Sequence, residues 1–315
     1  MTQTEERLHM AARAAFGKRA AGWEQLRGGT KKGVYRIVLD DDTSAVVYSW
    51  AAAENHWPDA PDDQGLFGST TSFPAFMSAH SLMHSAGLRV PRLHHVDAGS
   101  ASVAPFAVVE DMRRGSLEAL LESDPETGAR TTQALSVELA AMHAVRREQL
   151  GLIDEPSTAA GPEIVLARAL RDIDEACRRL DELAPAFDEL VALAQQLAAA
   201  VQPRTDHRLI HGELGPDHVL VADDGAPVII DIEGAMFFDL ELEHVFLRHR
   251  FGDAYQWLAR DDLDDARMAL YELAMHVSLV AGPLRLLDGD FPHREGMVGI
   301  VRWNVRHTLN LLRRA

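Results

Sequence analysis

The spacing of apolar and polar positions changes character along the chain. Leu8, Ala12 and Phe16 recur at helical spacing and predict an opening helix from Glu5 to Trp23. From there to Met112 the pattern is mostly strand-like. Val34–Leu39 and Ser44–Trp50 predict two strands joined by a turn at Asp40–Thr43, and Leu88–Leu93 with Phe106–Met112 predicts a further pair leading to a hinge. An apolar helix, Phe73–Ala86, interrupts them. Beyond Gly115-Ser116-Leu117-Glu118, where Ser116 offers an N-cap, helical spacing dominates. Leu135, Val137, Leu139 and Met142 mark the buried side of a helix over Thr131–His143. After a loop at Gly151–Gly161, Pro162 opens a helix with Leu166, Leu170, Ile173, Cys177 and Leu180 on one face. Ala186–Val201, Asp261–Ala281 and Gly296–Arg313 predict further helices. One hairpin breaks the helical half: Val219–Val221 and Val228–Ile230 flank a turn of Asp, Gly and Pro at Ala222–Pro227. Strands first and helices after them predict an α+β chain.

The 315 residues are 47% hydrophobic and 25% charged, enough apolar material for one large domain or two lobes. No apolar run is long enough to span a bilayer, and Met1–Trp23 lacks the apolar core of a signal peptide, so no membrane partner is expected. Cys177 is the only cysteine, which excludes an intrachain disulfide and makes a reducing cytoplasm the expected compartment. Its place on a helix stripe favours packing over reactivity. A formal net charge of −17 argues against a nucleic-acid partner. It suits a cationic substrate, or serves solubility alone. Asp261, Asp262, Asp264 and Asp265 read either as the acidic first turn of a helix or as the lining of a cation-binding cleft. Paired histidines such as His94-His95 lack metal-ligand spacing.

The densest chemistry surrounds the hairpin. His211, Glu213, Asp217 and His218 precede its first strand, and Asp231 and Glu233 follow its second, so pairing brings both clusters to one edge. Oxygen ligands beside a base are what a divalent metal and a phosphoryl transfer need, because that chemistry is largely positioning and charge neutralisation. Upstream, Leu26-Arg27-Gly28-Gly29-Thr30-Lys31-Lys32-Gly33 runs into the strand at Val34. A glycine-rich turn of this form can cover nucleotide phosphates with bare backbone N–H groups, and also begins ordinary hairpins.

His211-Gly212-Glu213, His218 five residues later and a strand ending in Asp231 resemble the catalytic centre of the aminoglycoside phosphotransferase family. In that family the triplet is His-Gly-Asp and the later position is Asn. The resemblance implies a bilobal protein-kinase-like fold: a small N-terminal lobe with an antiparallel sheet over 1–112, and a larger, mainly helical C-terminal lobe over 113–315. It implies ATP and Mg2+ as cofactors, a nucleotide and a small-molecule substrate as partners, and transfer to a hydroxyl of an antibiotic or metabolite. Glu213 would take the catalytic-base place, and His211 would support the catalytic turn. Asp231, with His218 or Glu233, would hold the metal. Gly28, Gly29, Lys31 and Lys32 would cover the phosphates, and the backbone from Glu110 to Met112 would meet the adenine. Asp239 and Glu243 would brace the catalytic segment by accepting backbone N–H groups. His143 resembles the family's Leu-x-x-Leu-His signature and reads as a hydrogen-bonded core residue.

The chain departs from the family pattern in four places. Ser44–Trp50 has no Lys or Arg where kinase-like folds carry the phosphate lysine, and Phe73–Ala86 has no acidic partner for one. The two absences agree, since an unpaired buried charge is costly. Lys31 or Lys32 would supply the charge from the loop, the alternative being two exposed turn lysines; Glu54 would be a displaced acidic partner. Glu213 replaces Asp with the same carboxylate on a longer stem, and His218 replaces Asn with a softer donor than Mg2+ prefers. Two other readings stand beside the leading one. One is a catalytically inactive kinase-like protein that binds a nucleotide or a partner. The other is an unrelated metal-dependent hydrolase using His211, Glu213, His218 and Asp231.

Overall fold

The computed structural model describes residues 2–26, 29–58, 66–67 and 72–314. In chain order its elements begin with α1 (Gln3–Phe16), β1 (Ala20–Gln25), β2 (Gly33–Leu39), β3 (Ser44–Ser49), α2 (Phe73–Ser85), β4 (Leu93–Asp97) and β5 (Phe106–Glu110). There follow α3 (Leu117–Ser123), α4 (Pro125–Ala144), β6 (Arg146–Arg147), β7 (Gly151–Leu152), α5 (Gly161–Arg179), α6 (Phe187–Ala200) and β8 (His207–Ile210). The last are β9 (Val219–Val221), β10 (Pro227–Ile229), β11 (Met236–Phe238), α7 (Leu240–Phe251), α8 (Asp265–Asp288) and α9 (Arg294–Arg314). They form two compact units. The first comprises Met1–Trp57, Thr71–Thr131 and Asp217–Glu233, and the second Pro58–Thr70, Thr132–Pro216 and Gly234–Ala315.

The first unit is built on a five-stranded sheet of order β1-β2-β3-β5-β4, with every neighbour antiparallel. Period-two alternation sends Tyr35, Ile37 and Leu39 of β2, Ala45 and Val47 of β3 and Phe106 and Val108 of β5 into a core with Leu8, Ala11 and Ala12 of α1. The expected helix to Trp23 stops early. Gly17 takes a left-handed conformation (φ 70°) and donates its N–H to Arg13, a helix-ending geometry that glycine adopts without Cβ strain. The chain then turns back as β1, where Trp23 stands 42% exposed and edge-on to Tyr35. The strand expected from Leu88 starts only at Leu93, after Pro91, whose missing N–H cannot join a ladder.

The β9–β10 hairpin belongs to the first unit, which departs from the expected division into 1–112 and 113–315. The cause is apolar packing. Val228, Ala222 and Leu220 cluster with Met112, and the hairpin backbone bonds to Gly115 O and Arg89 O at 3.0 and 2.9 Å.

The second unit is mainly helical. Its core holds Val165 and Ile173 of α5, Leu193 of α6, Leu270, Tyr271 and Val277 of α8 and Val305 of α9, with Ile210 and Phe238 from a small antiparallel sheet of order β6-β8-β11-β7. The buried side of α5 is Val165, Ala169, Ile173, Ala176 and Cys177, so Leu166, Leu170 and Leu180 flank the stripe and pack only in part. Val137 is a clear correction: it is 69% exposed. Two residues on from Leu135, it points to the far side of α4. Of the acidic run, Asp264 caps α8 by accepting the Arg267 N–H at 2.8 Å, and Asp262 is gripped by Arg260. Among the described residues no helix is long and apolar enough to cross a membrane.

Candidate active site

Each unit carries its own group of the expected residues. In the first, the N-terminal turn leads into β2 through Thr30, Lys31, Lys32 and Gly33. Gly28 lies outside the described residues. Gly29 is required sterically, since a Cβ there would stand 2.1 Å from the Lys32 carbonyl oxygen. Successive residues entering a strand point to opposite sides, and the two lysines obey this. Lys31 lies over the Trp57 ring, 5.4 Å from its centroid. Lys32 turns inward. It is only 6% exposed, and its Nζ lies 2.8 Å from Asp231 Oδ1, 2.5 Å from Glu233 Oε1 and 5.0 Å from the centroid of Tyr48 on β3. Burial alone would depress this ammonium, but the Asp231 and Glu233 carboxylates outweigh it and hold the pKa above its ordinary value.

Asp231 adopts a left-handed conformation (φ 59°), which a short polar side chain tolerates better than most. That conformation follows the closing bond of the hairpin, Ile230 N–H to His218 O at 3.0 Å. Asp231 Oδ2 lies 3.7 Å from His218 Nε2, and its side chain is 39% exposed. The three residues expected at a metal thus differ in kind: Asp231 and His218 approach each other, while Glu233 is 3% exposed and spent on Lys32. Among the described residues no group of three or more His, Cys, Asp or Glu side chains is arranged to hold a metal ion. The hydrolase reading therefore has no cluster to rest on.

Glu54 is engaged by two other side chains. It accepts from the Tyr35 hydroxyl at 2.7 Å and lies 3.6 Å from Arg7, because Gly33 leaves room for its carboxylate beside the Tyr35 ring. At the expected hinge, Glu110 donates its N–H to Arg92 O, Met112 is buried against the hairpin, and the intervening Asp111 is held by Arg36 and the Ser44 hydroxyl. The Asp111 anchor escaped sequence reasoning.

In the second unit, β8 delivers His211, whose side chain is completely buried. Gly212 turns the backbone at φ 94°, and Glu213 emerges exposed. The turn is braced as expected by Glu243 of α7, which accepts the Gly212 N–H at 2.7 Å and the His211 N–H at 3.3 Å. Burial pushes the Glu243 carboxyl up to about 7, against the two N–H donors, which favour the ionised form. Asp239 has a different role from the expected one. It binds side chains, accepting from Tyr271 Oη at 2.6 Å and Arg267 Nε at 3.1 Å, and so ties β11 to α8. His143 is a core residue: buried beside His244, it is held down to about 3 by desolvation and stays neutral. Cys177 packs, its Sγ 3.4 Å from Leu183 O. Arg168 was missed. Its guanidinium lies over the Phe67 ring, 4.6 Å from the centroid, and interacts electrostatically with Asp172 and Glu213.

A sheet-based unit with an inward lysine and a helical unit with a braced His-Gly-Glu turn are the parts of a kinase-like protein. A model of the phosphotransferase enzyme family matches residues 22–276, and the chain belongs to that family. No curated protein matches the chain. Among solved structures, a thermostable mutant of aminoglycoside phosphotransferase APH(4)-Ia is 15% identical over 98% of both chains, with a TM-score of 0.68. Spectinomycin phosphotransferase APH(9)-Ia, solved with ADP and spectinomycin, is 12% identical over 97% of this chain and 98% of its own, with a TM-score of 0.64. A fructosamine-3-kinase homologue from Thermobifida fusca is 19% identical over 98% and 99%, with a TM-score of 0.54. The fold is therefore the α+β, kinase-like one.

Proposed function

We propose that the chain is an ATP-dependent phosphotransferase acting on a hydroxyl of a small, cationic molecule. The observation that carries this reading is the Glu243 brace: it fixes the His211-Gly212 backbone and leaves the Glu213 carboxylate exposed at the tip of the turn. A degraded turn would not need a buried acid to hold two N–H groups. Glu213 would accept the proton of the acceptor hydroxyl as its oxygen bonds to the γ-phosphorus and the β–γ bridging oxygen leaves with ADP. Mg2+ fits one protein carboxylate here. Mg2+ is commonly held by one or two carboxylates with phosphate and water oxygens completing the octahedron, and Asp231 suits that role. When bound, the ion would neutralise phosphate charge. The net charge of −17 favours a cationic acceptor by raising its local concentration. Support for a nucleotide and an antibiotic-like acceptor comes from APH(4)-Ia, solved in a ternary complex with AMP-PNP and hygromycin B.

The test is ATP consumption with hygromycin B, spectinomycin and a panel of hydroxylated amines. Glu213→Ala should lower kcat about 100-fold or more, the usual weight of a general base, with the melting temperature unchanged because the side chain is exposed. Undiminished turnover in that variant would remove Glu213 from the mechanism. A wild-type chain that neither binds nor consumes ATP would overturn the phosphotransferase reading.

A further inference from the structure

The lysine missing from β3 has a counterpart twelve or more residues earlier in the chain. We infer that Lys32, carried by the turn before β2 and anchored by Glu233, is the cation that grips the nucleotide phosphates. This rests on the phosphotransferase reading and specifies how its nucleotide site works.

Three observations lead there. First, β3 offers no basic side chain and α2 no acidic one, so both members of the usual strand–helix ion pair are absent together. Second, a complete buried pair exists elsewhere: Lys32 Nζ sits between Asp231 and Glu233 and near the ring of Tyr48, a β3 residue. Third, the partners are unequal. Glu233 is as buried as the ammonium and makes the shorter contact, whereas Asp231 is 39% exposed. Glu233 is thus the anchor, and Asp231 shares Lys32 with whatever the exposed side of the site receives. This sets Glu233 apart from the metal set: at 3% exposure its carboxylate is enclosed with the ammonium, whereas the Asp231 carboxylate is open to an incoming ion.

The charge balance adds a consequence. One ammonium and two carboxylates leave the cluster net negative, so polyphosphate alone is poorly received there and MgATP is the form that binds. Lys31 is turned the other way, over the Trp57 ring.

Calorimetric titration of the full chain with MgATP, free ATP and adenosine tests the inference. Lys32→Met alone strands two carboxylates, so the paired variant Lys32→Met/Glu233→Gln, which removes a charge of each sign, is measured beside it. The expected result is a loss of MgATP affinity of about tenfold or more, the weight of a charge-assisted contact, with adenosine binding held within about twofold. Glu233→Gln alone should leave the Mg2+ requirement where it is; a tenfold rise in it would return Glu233 to the metal and overturn its anchoring role. MgATP affinity within about twofold of wild type in the paired variant, or an equal loss for adenosine, would overturn the Lys32 assignment. Absence of nucleotide binding in the wild type is a separate outcome, which sinks the phosphotransferase reading and this inference with it.

Discussion

Replacing Glu243 by Gln should change the stability of the protein in a pH-dependent way. The side chain is fully buried and accepts two backbone N–H groups, at 2.7 and 3.3 Å. Its carboxyl is raised from 4.5 to about 7 in the folded protein. Between these values the native state binds a proton that the unfolded chain has released. Stability therefore falls as pH rises through this window. The linkage relation puts the fall at about 2.5 kcal/mol between about pH 5 and pH 8. Gln cannot ionise, so its stability carries no such slope from this site. Against that, one end of an amide accepts while the other donates, so one buried N–H loses its acceptor at a cost of about 1–3 kcal/mol. The two effects have opposite consequences at the two ends of the range. Near pH 5, where wild-type Glu243 is largely protonated, the variant should be the less stable. Near pH 8 the gap should close by about 2 kcal/mol or more. Urea unfolding of both proteins at each pH gives the difference directly. A gap that stays constant within about 0.5 kcal/mol, the ordinary scatter of surface substitutions, would show that Glu243 does not titrate in this range and that its burial carries no ionisation cost.

Two further substitutions test the local geometry. Gly212→Ala should cost about 1–2 kcal/mol, because φ at 94° is strained for any residue with a Cβ. The nearest atoms to that Cβ, Gly234 O and Met236 Cε, stand 3.5 Å off, so the cost is conformational; full stability of the variant in urea would refute it. Asp239→Ala should destabilise by about 3–5 kcal/mol, since it removes the nearer carboxylate of the buried Arg267 guanidinium, at 3.1 Å, and leaves the more distant Asp264, at 3.7 Å. A loss under about 1 kcal/mol in thermal unfolding would show that Arg267 finds compensation elsewhere.

Much of the fold was legible because its signals are local. The turn at Ala222–Pro227 and its β-branched flanks located the hairpin within a residue of β9 and β10, and the apolar runs Val34–Leu39 and Ser44–Trp50 located β2 and β3 to within a residue. Gly17 was a readable stop signal that the helical spacing of Leu8, Ala12 and Phe16 overrode. The brace by Glu243 was implied by the family resemblance rather than by any local signal, and the hydrogen bonds to His211 and Gly212 bear it out. The sequence also determined that β3 and α2 lack their ion pair. What it could not determine was where the compensating charge went. Exposed or inward, Lys31 and Lys32 are the same residue type in the same turn, and only strand direction separates them. The contacts that decide it lie 199 and 201 residues away, at Asp231 and Glu233. Likewise Asp239 binds partners up to 32 residues distant on another helix, and the hairpin joins the first unit by burying Val228 against Met112. Periodicity, caps and turn residues act between near neighbours and so are written in the sequence. The pairing of buried charges depends on which segments the core brings together, and only the tertiary structure decides that.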